Sequence, residues 1–244
     1  CYMCECVFRG RINMENYYKF ASSNSFSLYT NILEMINYVF DVDGTLTPSR
    51  LPINKKFKEF FLEWMEGKKV YLITGSDKDK TIEQIGEEIW LKCTRAYQSC
   101  GNAIYENGNL IEKKDFIPPK NLIHILNTFL QSSDWQHQHG NHIEERIGLL
   151  NYSTVGRNCD QSSREAYYNW DKEEGERLTF CKLIEEEFPE LEASVGGEIS
   201  IDIYPKGQNK GQILDDLEGP IMFFGDKCEP GGNDYPIAKR LSQD

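Results

Sequence analysis

The sequence predicts an open parallel α/β sheet split by an α+β insertion. Three observations carry this. An apolar run, Asn37–Phe40, leads straight into Asp41-Val42-Asp43-Gly44, the pattern of a buried strand that ends at a turn. Strand-like and helix-like stretches alternate up to Pro118-Pro119 and resume after Pro205-Lys206-Gly207. Between those two breaks the pattern changes to a hairpin, two charged helices and a pair of strands. Residues 35–118 and 206–244 are therefore expected to form a split core, 119–205 an inserted domain, and 1–34 an extension outside the fold.

In chain order, residues 1–34 show no clean period and carry the polar cluster Ser22-Ser23-Asn24-Ser25. Met35 reads as the initiator, with a short helix around Tyr29–Leu33 as the alternative of equal weight. Asn54–Glu66 sets Phe57, Phe60, Phe61 and Trp64 at helical spacing. Val70–Thr74 is a second buried strand, and Lys78–Leu91 is a helix with Ile82, Ile85 and Ile89 on one side. Asn107-Gly108 between short apolar stretches marks a hairpin over Asn102–Ile111. A helix is expected over Asn121–Leu130, then a hairpin of Ile143–Arg146 and Leu149–Ser153 turning at Gly148. Helices Ser163–Asp171 and Glu176–Glu187, strands Ala193–Val195 and Ile199–Tyr204, helix Lys210–Leu217 and strand Ile221–Phe224 complete the series.

Composition excludes several classes. Of 244 residues, 39% are hydrophobic, enough for a packed core. The formal charge of −12 repels phosphate backbones, which argues against nucleic acid as a partner. No apolar run approaches the roughly 18 residues of a membrane helix. Of eight cysteines, Cys1, Cys4 and Cys6 crowd the start and the rest are scattered, with no second CxxC to complete a zinc site. A disulfide framework is not expected, and the default is a reducing, cytoplasmic location.

The chemistry concentrates in carboxylates. Asp41 and Asp43, two residues apart at a strand's carboxyl end, stand where open sheets bind ligands. One carboxylate can attack phosphorus and its neighbour can shuttle a proton; taken alone, such a turn can equally hold solvated aspartates. Asp41-Val42-Asp43-Gly44-Thr45 resembles the first motif of the haloacid dehalogenase superfamily, whose other three motifs follow in order. Ile73-Thr74-Gly75-Ser76-Asp77 ends the next strand, Lys210 opens a helix after the insertion, and Gly225-Asp226-Lys227 ends the last strand before Gly231-Gly232-Asn233-Asp234. Asp43 points to phosphoryl chemistry rather than dehalogenation.

Longer strings narrow the resemblance to the eukaryotic-type phosphomannomutase family. They are Asp41–Thr47 with Pro48-Ser49-Arg50, Phe223–Asp234, Leu150–Cys159 and Gly196–Pro205, so the likeness runs from about Ile36 to Asp234. The resemblance implies a Rossmann-like haloacid dehalogenase core with an inserted α+β cap. It implies an isomerase that interconverts mannose 1-phosphate and mannose 6-phosphate and supplies GDP-mannose synthesis, with Mg²⁺ and a hexose 1,6-bisphosphate activator. By this likeness Asp41 is the nucleophile, Asp43 the acid/base, and Lys210 and Ser76 stabilise the transferring phosphate. Arg50, Arg146, Arg157, Arg164, Ser200 and Asp202 would hold the sugar phosphate, and Asp41, Asp43, Asp226 and Asp234 the metal. Arginine suits the distal phosphate because its planar fork pairs with two oxygens at once, although each arginine taken singly can equally be a solvated ion pair. The small-molecule partner is a sugar phosphate, and pairing of two copies through the cap is the family tendency.

The chain departs from the family in three places. Thr74 replaces the first of two glycines before Ser76, so its hydroxyl competes with Ser76 for the phosphate role. Ser99-Cys100-Gly101 stands where Glu-Asn-Gly is usual. No aspartate follows Asp234 before the terminus, so the family's second cation loop is not expected and the chain reads as truncated. A Mg²⁺-dependent sugar-phosphate phosphatase is the alternative activity, since water would then take the phosphoryl group and the distal arginines would be superfluous. A catalytically dead binding remnant is opposed by the intact Asp41, Asp43, Lys210 and Asp226.

Overall fold

The computed structural model of the chain describes residues 5–9 and 36–243. The elements run β1 (Glu5–Arg9), β2 (Asn37–Asp41), α1 (Lys55–Trp64), β3 (Lys69–Ile73), α2 (Lys78–Ile85) and α3 (Glu87–Lys92). There follow β4 (Arg95–Gln98), β5 (Ala103–Glu106), β6 (Asn109–Lys113), α4 (Leu122–Ser132), β7 (Ile143–Arg146) and β8 (Leu149–Tyr152). Then come α5 (Gln161–Glu174), α6 (Glu176–Glu187), β9 (Leu191–Gly196), β10 (Ser200–Pro205), β11 (Ile221–Gly225) and α7 (Tyr235–Ser242).

The larger sheet has the order β1-β11-β2-β3-β4-β5-β6. Its centre, β11 to β4, is parallel, and the flanking pairings are antiparallel. Strand periodicity explains its two covered faces. Tyr38, Phe40, Val70 and Leu72 pack with Phe61, Ile85, Ile89 and Trp90 on one side. Val39, Tyr71, Ile73 and Phe223 pack with Ile213, Leu214, Ile237 and Leu241 on the other. This is the split α/β core with a parallel centre that the sequence leads one to expect. The smaller sheet, β7-β8-β10-β9, is wholly antiparallel. Leu150, Tyr152, Ile201 and Ile203 meet Leu122, Leu126, Phe129, Phe180 and Ile184 of α4 and α6. Alternation along β8 and β10 sends Asn151, Ser200 and Asp202 to the opposite, polar face.

Several expectations need correction. Glu5–Arg9 is not outside the fold: it pairs antiparallel with β11, whose outer edge offers unpaired backbone groups. Met35 and Tyr29–Leu33 lie outside the described residues. The single helix expected over Lys78–Leu91 breaks at Gly86, which has φ of 85°. Lys210–Asp215 is 3₁₀ rather than α-helical, capped by the Asn209 side chain on Gly211 N. Phe57 and Phe60 of α1 stay exposed and only Phe61 of that helix is buried. Strand β4 and helix α7 were not anticipated; Pro236 in the first turn of α7 fits its start.

Candidate active site

Asp41 ends β2 at the centre of the sheet and is buried. Lys210 Nζ donates to Asp41 Oδ1 at 2.6 Å and to Asp234 Oδ1 at 2.7 Å. Asp234 Oδ2 accepts from the backbone N–H groups of Asp226 and Lys227 at 3.2 and 3.1 Å. Asp41, Asp226 and Asp234 each bring one oxygen within 4.8 Å of the others. Gly44 has φ of 89°, and a Cβ there would fall 2.2 Å from Asp226 Oδ2, so glycine lets the turn close over this carboxylate.

Burial pushes the Asp41 carboxyl well above its usual range; Lys210 opposes the shift, while Asp234 and Asp226 add to it. Burial, then Asp234, raises Asp226 to about 6. Burial works against the charge on Lys210, yet Asp234 and Asp41 outweigh it and hold the ammonium. Three carboxylates thus outnumber the ammoniums of Lys210 and Lys227 that act on them. That charge imbalance and an all-oxygen donor set fit a hard divalent cation.

The Asp43 carboxylate is not part of this group, contrary to the expected metal set. Its Oδ1 accepts from Arg50 N at 2.7 Å and from Gln84 Nε2 at 2.9 Å, which turns the side chain toward α2. Its Oδ2 faces Ser76 Oγ at 3.4 Å. Ser76 N donates to Thr74 Oγ1 at 3.1 Å, so Thr74 shapes the loop after β3 and Ser76 keeps a hydroxyl toward the cleft.

Across a cleft the polar face of the smaller sheet meets these strand ends. Arg50, Arg146, Arg157, Arg164, Ser200 and Asp202 all line it, together with Asp41, Asp43, Ser76, Lys210 and Asp226. Of the expected site residues only Asp234 is not on the wall; it lies fully buried behind Lys210. Arg146 Nη1 donates to Gly75 O at 2.8 Å, joining β7 to the core. Its Nη2 donates to Glu144 Oε2 at 2.5 Å, and Arg157 Nε lies 3.3 Å from the same oxygen. Arg164 Nε pairs with Glu198 Oε2 at 3.3 Å. Arg164, which opens a helix where a solvated ion pair is the ordinary outcome, is 6% exposed and belongs to the cleft. Two donors on this wall, Arg146 Nε and Arg157 Nη2, are buried without a protein partner. Burial and then the charges of Arg146 and Arg164 depress the Arg50 guanidinium, the electrostatic mark of crowded cations.

Asp202 Oδ1 accepts from Asn151 Nδ2 at 2.6 Å, and a Cβ on Gly75 would stand 2.7 Å from Asp202 Oδ2. Gly75 therefore lets the smaller sheet approach the core. Sequence reasoning did not single out Glu144, Glu198, Asn151, Gln84 or Lys227. Lys227 Nζ donates to Gly197 O and so ties the loop after β11 to the β9–β10 turn. For Asn151 a signal existed: it is an amide inside the otherwise apolar run Leu149-Leu150-Asn151-Tyr152.

A profile for eukaryotic phosphomannomutase matches residues 57–241. A phosphomannomutase of Dendrobium officinale is 37% identical over 209 residues, covering 82% of this chain and 83% of that protein. Phosphomannomutase 2 of Dictyostelium discoideum is 35% identical over 219 residues, covering 84% and 88%. Among solved structures, protein SMU.1108c of Streptococcus mutans superposes with TM-score 0.55 at 15% identity, covering 83% of each chain. The C-terminal domain of C. albicans trehalose-6-phosphate phosphatase gives 0.51 at 15% identity, covering 93% of this chain and 70% of that one. At such identities these two speak for the fold alone. The profile and the relatives, both spanning most of the chain, go further: this protein belongs to the eukaryotic phosphomannomutase family.

Proposed function

We propose that the chain is an isomerase that interconverts mannose 1-phosphate and mannose 6-phosphate through an aspartyl phosphate. The observation that carries the reading is one cleft lined by two unlike groups. Asp41, Asp43 and Lys210 come from the core strand ends, and Arg146, Arg157 and Arg164 from the inserted residues. The unpartnered Arg146 Nε and Arg157 Nη2 want an acceptor, and leaving such buried donors unmet costs roughly 1–3 kcal/mol each. A second phosphate on the same sugar supplies it. A phosphatase has no use for that second group, and the named relatives favour the mutase.

In this reading Lys210 occupies Asp41 Oδ1, so Oδ2 attacks the phosphorus of a hexose 1,6-bisphosphate. The phosphorus–oxygen bond to the sugar breaks and Asp43 gives its proton to the departing oxygen. Lys210 and Ser76 balance charge on the phosphoryl oxygens. Mg²⁺ held by Asp41, Asp226 and Asp234 would add charge neutralisation there. Residues 119–205 act as a cap on a core of 35–118 and 206–244, and the Arg146–Gly75 contact supports closure that excludes water. The bisphosphate then turns end for end, the arginines accepting whichever phosphate has left the core. We place the reaction in the cytoplasm, upstream of GDP-mannose, in a homodimer paired through the cap. Among the described residues no helix is long and apolar enough to cross a membrane.

The test is a coupled assay with mannose 1-phosphate, Mg²⁺ and a hexose 1,6-bisphosphate that separates mannose 6-phosphate from free phosphate. Mannose 6-phosphate as the main product supports the reading. Free phosphate alone would establish the phosphatase.

A further inference from the structure

We infer that Gln84 is a positioning residue for Asp43, fixing which carboxylate oxygen carries the transferable proton; the inference rests on the acid/base role proposed above. Gln84 lies on α2, is 2% exposed, and has no path to substrate except through Asp43. Its Nε2 donates to Asp43 Oδ1 at 2.9 Å and to Thr47 Oγ1 at 3.1 Å. The amide orientation follows from its partners. Asp43 Oδ1 can only accept, and the Thr47 hydroxyl already donates to Val42 O at 3.2 Å, so its lone pairs face Gln84.

Arg50 N gives Oδ1 a second donor at 2.7 Å. Two N–H donors on one oxygen leave it no room for a proton of its own. The proton of a neutral Asp43 therefore sits on Oδ2, the oxygen that faces Ser76 and the cleft. Oδ2 delivers it to the sugar oxygen as the phosphorus–oxygen bond breaks, and takes it back when a sugar hydroxyl attacks the aspartyl phosphate. Gln84 Oε1 is buried without a partner. An amide kept inside with its acceptor unmet owes its place to what its donor does.

The test compares leaving groups. A sugar alkoxide needs a proton to depart, whereas p-nitrophenolate leaves without one. Single-turnover phosphorylation of Asp41 is measured from glucose 1,6-bisphosphate and from p-nitrophenyl phosphate, in wild type, Gln84→Met and Gln84→Glu. Methionine keeps the volume and removes the donor; glutamate sets a second carboxylate against Oδ1. Transfer from the bisphosphate should slow about ten- to hundred-fold in both variants, part of the roughly 10²–10⁴ that acid–base catalysis supplies. Transfer from the aryl phosphate should stay within about threefold, as should the concentration dependence for both donors, which also shows that each variant is folded. Equal slowing with both donors, or a loss confined to affinity, would overturn the inference. A Gln84→Glu protein with the wild-type ratio would do the same. Because the readout is phosphorylation of Asp41 and not mannose 6-phosphate, a failed mutase assay leaves this comparison intact.

Discussion

Arg157→Ala is the sharpest test of the two-sided cleft. The Arg157 side chain is 7% exposed, and its one ion pair, Nε to Glu144 Oε2 at 3.3 Å, is shared. Glu144 keeps Arg146 Nη2 at 2.5 Å when Arg157 is truncated, so no buried carboxylate is orphaned and the fold should persist. What is lost is a guanidinium with a donor, Nη2, that no protein group satisfies. Removing one charge-assisted contact to phosphate weakens bisphosphate binding by roughly 1.5–3 kcal/mol, or about ten- to hundred-fold. Arg157→Lys should recover only part of this, because an ammonium lacks the fork. Transfer to water needs only the Asp41 side, whereas isomerisation must retain and turn the intermediate. The ratio of mannose 6-phosphate to free phosphate, at saturating Mg²⁺, should therefore fall by a similar factor. If isomerisation and hydrolysis decline together while the melting temperature holds, the arginines have no special part in retaining the intermediate, and the division of the cleft into two sides is refuted.

Three further outcomes are expected. Asp41→Asn should abolish turnover, and beryllium fluoride should protect Asp41 alone in wild type; protection of Asp43 or Asp234 instead would reassign the nucleophile. Arg177→Met should destabilise the protein by about 3–5 kcal/mol. It breaks a buried pair with Asp171 at 2.7 Å and frees the carbonyls of Gly196 and Gly197, which urea unfolding would register. Of Cys93, Cys100, Cys159, Cys181 and Cys228, Cys159 should react first with iodoacetamide near neutral pH, since it is only half-buried, while burial pushes the Cys93 thiol up to about 12. Peptide mapping that finds Cys93 labelled as fast as Cys159 would contradict this.

What the sequence made legible followed from locality. Asp41 and Asp43 are two residues apart on one strand end, and period-two alternation over Ser200–Pro205 puts Ser200 and Asp202 on one face without knowledge of the rest. Arg146, Arg157 and Arg164 were legible only through resemblance, because they come from a strand end, a turn and a helix that only the fold brings together. Gln84 was missed for the same reason: its partner Asp43 is 41 residues away, and α2 offers only an amide in phase with buried Thr81 and Ile85. Strand β4, four residues reading Arg-Ala-Tyr-Gln, lacks both alternation and an apolar run; its place comes from pairing with β3. Asp43 enters the expected metal set through the resemblance. Its side chain is instead held by donors on Gln84 and Arg50, which no spacing within the motif encodes.

The two sides of the cleft also balance charge differently, and this bears on how one enzyme can bind the same group at both. At the cap each arginine has a carboxylate of its own fold beside it, Glu144 for Arg146 and Arg157, and Glu198 for Arg164. The guanidiniums are thus oriented by the fold itself, and part of the cost of ordering them is met during folding. The glutamates also hold down the net attraction for phosphate, so that under the proposed mechanism a departing bisphosphate end would be released and not trapped. At the core the excess runs the other way, with Asp41, Asp226 and Asp234 around Lys210 and with Lys227 beside Asp226. A phosphate dianion is repelled from that side until positive charge is added. Grip is weak and reversible where the phosphate must only be held, and conditional where it must react. A bisphosphate able to exchange its ends needs both conditions, and the acidic surface of the chain as a whole supplies neither.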